Sequence, residues 1–149
     1  MSLFRIFTFF ISILLLVGCA ATWMLPTSAR DVNFGNDKQT GWLSSYEKTK
    51  RFYNTNPSLV FDAIKYGLKK NGFKILRSDF KDAVVIGEHG ITWKDWNSMA
   101  GVYFKVQNED VIVKVMIEGA KDSVFDITGH QQKYMDEILQ SVGDFVIQN

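Results

Sequence analysis

Three side chains carry the atoms most often used for nucleophilic or metal chemistry: Cys19, His89 and His130. A reactive thiolate needs a base or a cation beside it. Cys19, the one cysteine, instead closes the apolar run "ILLLVGC", well away in sequence from either histidine. The histidines have no H-x-x-x-H or H-E-x-x-H spacing, so no local zinc pair forms. In "GEHG", Glu88 and His89 are adjacent, and on a strand adjacent side chains point to opposite faces. His89 therefore reads as a surface or structural histidine. His130 reads as a solvated residue in the first turn of the last helix. Glycine-rich phosphate loops are absent, and no carboxylate pair is singled out for acid–base work. The expectation is a non-enzymatic chain with no catalytic residue, no metal ligand and no cofactor.

Binding offers one further candidate. "GITWKDWNSMAG", residues 90–101, interrupts a series of strand-like runs and carries Trp93, Trp96 and Met99. Exposed Trp and Met are enriched in contact surfaces, so these three form a candidate patch for a protein partner or lipid. The competing reading is a loop that folds its tryptophans over the sheet to close the core.

Cys19 acquires a different meaning from what precedes it. "MSLFR" supplies a free amine and Arg5, and Ile6 to Gly18 then runs apolar for about 13 residues, roughly 20 Å as a helix. That is short for a bilayer span but suits the apolar region of a secretion signal. The run ends Leu16-Val17-Gly18-Cys19, which resembles the lipobox of bacterial lipoproteins, although the amino-terminal region has only one basic side chain. The resemblance implies a diacylglycerol on the Cys19 thiol, cleavage before Cys19 and acylation of the new amine. Residues 1–18 would then be signal peptide. Ala20 and Ala21 follow where an inner-membrane retention signal would place Asp, which implies an outer-membrane lipoprotein with its domain in the periplasm. The alternative is an inner-membrane anchor facing the periplasm, since Ile6 to Leu25 together reach about 30 Å as a helix. In both cases Arg5 stays inside and the rest is exported.

Cysteine usage and charge agree with that picture. A lone cysteine makes no internal disulfide, so the domain must be held by its core. Removing Arg5 with the signal leaves the other basic residues, out of 17, in balance with 16 acidic ones. No basic block exists, which argues against nucleic acid as a partner.

Residues 19–48 read as a lipidated flexible tether. From Thr22 onward no period of 2 or 3.6 is sustained, and Pro26, Gly35 and Gly41 break the chain. Residues 49–149 read as one domain. "TKRFYN" is a short strand. Asn56 and Pro57 start a helix that Asn71-Gly72 ends, with Val60, Phe61, Ala63, Ile64 and Leu68 on one face. "FKILRSD", "AVVIGEHG", "GVYFKV" and "VIVKVMIEG" read as strands, the last two joined by the turn "QNED". In the last strand Val111, Val113, Val115 and Ile117 take one face, and Ile112, Lys114, Met116 and Glu118 a more mixed one. Thr128-x-x-Gln131 suits a capping box for a final helix striped by Tyr134, Met135, Ile138, Val142, Phe145 and Val146. The expected fold class is α+β: an antiparallel sheet of four to five strands, two helices on one face and the other face open to solvent.

The order strand, helix, three or four strands, helix over about residues 49–147 resembles that of small periplasmic lipoprotein domains, such as those found in a lipoprotein of the outer-membrane barrel-assembly machine, and "P-x-x-V-F-x-A" leading to "L-x-x-x-G-F-x-I" resembles a pattern in other small lipoproteins. The resemblance is at fold level and implies no activity. The functional expectation is a lipid-anchored binding or scaffold module of an envelope complex. It attaches to the membrane through Cys19 and has an envelope protein as partner. The alternative is a small-ligand or lipid-binding module using a groove between helix and sheet.

Overall fold

The computed structural model describes residues 25–35, 37, 45–90, 98–119 and 130–149. The signal segment, Cys19, Trp93, Trp96 and Thr128 lie outside the described residues. Five strands and two long helices follow in the order β1 (Ser45–Phe52), α1 (Pro57–Lys70), β2 (Lys74–Asp79), β3 (Val84–His89), β4 (Ser98–Gln107), β5 (Asp110–Gly119) and α2 (His130–Gln148). The strands make a single antiparallel sheet in the order β1-β5-β4-β3-β2. The fold is therefore α+β with both helices on one face. β1 begins at Ser45, four residues before the expected start of the domain.

Local chemistry explains most boundaries. Asn56 caps α1 by accepting from the Ser58 amide at 2.9 Å, and Pro57 occupies the first turn, where its missing N–H costs nothing. The helix ends at Asn71, and Gly72 then takes φ +82°, a conformation that disfavours a side chain. The β4–β5 hairpin turns through Asn108 at φ 60°, which asparagine tolerates better than most residues. β2 and β3 shift register between Ile75 and Arg77, leaving Leu76 exposed on an edge strand.

Because β1 and β2 occupy opposite edges, α1 must cross the sheet between them, and α2 returns beside it. α1 buries Val60, Ala63, Ile64 and Leu68, and α2 buries Met135, Ile138, Leu139 and Val142. Both pack on Ala100, Val102, Phe104, Val111, Val113, Val115 and Ile117 of β4 and β5. Each such aliphatic side chain contributes roughly 1.5–3 kcal/mol on burial. The helices approach most closely at Gly67, where an added Cβ would lie 3.1 Å from the Ile138 carbonyl and 3.0 Å from a Val142 methyl. Asn71 ties them together, donating to the Gly67 carbonyl at 2.8 Å and to Ser141 Oγ at 3.3 Å.

The opposite face departs from the expectation of an open surface. Directly paired residues share a face, so Val84, Met99, Tyr103, Ile112 and Lys114 all project away from the helices. All five are buried. Residues 25–35, which lie within the stretch read as tether, form a strap against this face. Leu25 is buried, the Ala29 amide donates to the Asp82 carbonyl at 2.9 Å, and a short 3-10 turn spans Ala29–Asp31. Exposing an apolar face to water is unfavourable, and residues 25–35 cover part of it.

Candidate functional site

The strap is held by two side chains of the central strands. Tyr103 leans over Gly101, where an added Cβ would meet its hydroxyl at 2.5 Å, and its Oη donates to the Pro26 carbonyl at 2.7 Å. Burial, reinforced by Glu118, pushes the Tyr103 hydroxyl well above the ordinary tyrosine range, so it remains a donor throughout the physiological range. Lys114, opposite it on β5, is 1% exposed. Its Nζ donates to the Asn33 carbonyl at 2.6 Å and pairs with Glu47 of β1 at 2.6 Å. The Glu47 side chain is 11% exposed. A buried ammonium needs such compensation, since an isolated one would lose several kcal/mol of hydration. Lys114 was legible in the sequence only as a polar residue on a mixed face; the apolar Leu25 and Phe34 were the signals that the segment before the domain could dock.

Beyond the 3-10 turn, strap and sheet diverge and leave an open groove of about 710 Å³. Its walls are Ala29, Arg30 and residues 32–35 of the strap, the β2–β3 turn and the end of β4. Three cations line it: Arg30, Lys81 and Lys105. Lys105 lies over the Phe34 ring, 5.0 Å from its centroid. Asp82 is the acidic residue in the lining, and its carboxylate is bound at 2.5 Å by Arg77. The turn itself is set by Asp79, which accepts from the amides of Lys81 at 2.9 Å and Asp82 at 3.1 Å. Those amide bonds, with Arg77 close by, hold the Asp79 carboxyl below the usual aspartate range.

His89 is half-buried at the other end of β3, on the helix face. Its ring meets Phe73 edge-on, with centroids 5.3 Å apart, and lies tilted against Tyr134 at 5.0 Å, and its Nδ1 lies 3.1 Å from the Gly90 carbonyl. Glu88 points to the other face, opposite Met99. The two adjacent residues are thus separated by the sheet, and His89 is positioned as a packing residue. Among the described residues no group of three His, Cys, Asp or Glu side chains is placed to hold a metal ion.

Met99, grouped with Trp93 and Trp96 as a candidate contact surface, belongs instead to β4 and is 7% exposed. β4 starts at Ser98 because Ser98, Met99 and Ala100 find partners on both β3 and β5. Pairing on two sides draws Met99 into the sheet, whereas its sequence position suggested a loop.

No protein-family model matches the chain, and the comparison with curated proteins gives no match. Solved structures similar to it include Ara h 8.0201, at 10% identity and TM-score 0.47, with 71% of this chain and 100% of that one covered. CalU16 from Micromonospora echinospora is similar at 8% identity and TM-score 0.44, covering 70% of this chain and 79% of that one. A TBP-like protein from Parabacteroides distasonis is similar at 10% identity and TM-score 0.42, covering 74% and 97%. None of these three is a barrel-assembly lipoprotein, and at such scores the likeness carries no argument about ligand or activity.

Proposed function

We propose that this chain is a bacterial lipoprotein, anchored through lipid on Cys19 at the periplasmic face of the outer membrane. Its domain acts there as a non-enzymatic binding or scaffold module of an envelope complex. The observation that carries the reading is the run Ile6 to Gly18 ending in Leu16-Val17-Gly18-Cys19, with the chain's one cysteine at the position the lipobox requires. Two or three acyl chains, at about 0.8 kcal/mol per buried methylene, hold a domain of this size at a membrane almost permanently. No helix among the described residues is long and apolar enough to cross a bilayer.

A scaffold role fits better than a ligand held between helix and sheet, because that space is filled among the described residues. Val60, Ile64, Leu68, Val102, Val113 and Ile138 meet there with no exposed surface. The contact surface for the partner is assigned to Trp93 and Trp96.

Intact-mass analysis of the membrane-extracted protein tests the anchor. The expected chain starts at Cys19 and carries diacylglycerol and an amide-linked acyl group, and Cys19→Ser leaves an unprocessed, lipid-free precursor. An unmodified wild-type chain starting at Met1 refutes the reading. For the partner, crosslinked capture from membranes should weaken in the Trp93→Ala, Trp96→Ala double variant while the melting midpoint stays near wild type. A large fall in midpoint would place those tryptophans in the core instead.

A further inference from the structure

The docked strap changes how far the domain can stand from its anchor. With lipid on Cys19 the extended chain available before Leu25 is six residues, which reach at most about 20 Å. A domain of about 100 residues has a radius of gyration near 13 Å, which for a sphere is a diameter of about 34 Å. The anchor is therefore shorter than the domain is wide, and the strap-bearing face is tied to the bilayer surface. That face carries the groove lined by Arg30, Lys81 and Lys105. All three are exposed, and the one carboxylate in the lining, Asp82, is already held by Arg77. Asp31, exposed in the same turn as Arg30, stands outside the lining.

We infer that this groove is a membrane-docking site that receives the phosphates of anionic phospholipids, resting on the proposed Cys19 anchor. The lipid chains hold the protein at the membrane. The groove sets its orientation, with strap and β2–β3 turn toward the headgroups and the helices facing away. The chemistry fits each part. Arg30, Lys81 and Lys105 supply charge to phosphate oxygens, and Phe34 beneath Lys105 offers an apolar ring at the depth of the interface. Net charge over the whole chain is near zero, so the attraction is local to this face. Each cation near an anionic surface favours the docked state roughly five-fold, so three together favour it on the order of 100-fold over a neutral bilayer.

The test uses the mature lipidated protein, reconstituted in phosphatidylcholine vesicles and in vesicles containing phosphatidylglycerol. A membrane-impermeant amine reagent labels accessible lysines, and peptide mass spectrometry compares Lys81 and Lys105 with Lys69 and Lys70, exposed at the end of α1. On anionic vesicles the labelling of Lys81 and Lys105 should fall about ten-fold or more against the α1 lysines, and high salt should restore it. In an Arg30→Glu, Lys105→Glu variant, the protection of Lys81 should disappear without a change in melting temperature. Equal labelling on both vesicle types overturns the docking site. Equal protection by inorganic phosphate on neutral vesicles also overturns it, since the groove would then take a free anion. Flotation separates the two readings. A chain that floats with both vesicle types but shows no protection loses the docking site alone, whereas a chain that floats with neither loses the anchor and the docking site together.

Discussion

Replacing Lys114 with methionine should loosen the strap and destabilise the domain together. The substitution removes the ammonium that joins Glu47 to the Asn33 carbonyl, both at 2.6 Å, while leaving a side chain of similar length in the same space. Glu47 is then left as a nearly buried carboxylate without its cation. Breaking a buried pair from one side costs about 3–5 kcal/mol; the residual exposure of Glu47 lets some water return, which favours the lower end, about 3 kcal/mol. With a urea slope near 2 kcal/mol per molar, typical of small domains, the midpoint should fall by about 1.5 M. The assay is a urea melt of a soluble form beginning at Ala20, paired with limited trypsin digestion. Cleavage after Arg30, in the 3-10 turn, should accelerate well before global unfolding. Adding Glu47→Leu should recover much of the loss, because removing both charges leaves neither uncompensated. The strap should nonetheless stay trypsin-sensitive, since the bond to Asn33 is still missing. If Lys114→Met melts within about 0.5 kcal/mol of wild type, or cleavage after Arg30 is unchanged, the buried clamp is not what holds the strap.

Two further outcomes follow from single contacts. Gly67→Ala should lower stability by roughly 1–3 kcal/mol in the same melt, because its Cβ would press on the Ile138 carbonyl at 3.1 Å and push the helices apart; a neutral result would mean that a shift of a few tenths of an ångström relieves the contact at no more cost than the gain in helix propensity. Asp79 is held below the ordinary aspartate pKa chiefly by its amide bonds in the β2–β3 turn. A lowered folded-state pKa means that its stabilising effect is complete above the unfolded-state value and is lost as pH falls through the folded one. Asp79→Asn should therefore be less stable than wild type at neutral pH, and the gap should close in strong acid; a gap independent of pH would rule out the carboxylate charge as its source.

The sequence alone determined the features that depend on near neighbours. Asn56, Pro57 and Gly72 bound α1 because a cap, a fixed φ and a left-handed turn act within a few residues. The alternation Val111, Val113, Val115, Ile117 named the core face of β5, because a strand's side chains alternate wherever the strand is placed. Together these were enough for an α+β sheet with two helices on one side. The proposal for Cys19 rests on the same kind of local signal, the residues just before it. What only the tertiary structure decided was the fate of the other face. Lys114 reads as a solvated residue until the fold brings it to Asn33, 81 positions earlier in the chain, and to Glu47 on the neighbouring strand. Met99 reads as part of a loop until β3 and β5 flank it. Arg30, Lys81 and Lys105 are three scattered charges until the strap docks and gathers them along one groove. Burial and charge grouping at these positions are set by partners distant in sequence, and neither composition nor periodicity encodes which distant segments will meet.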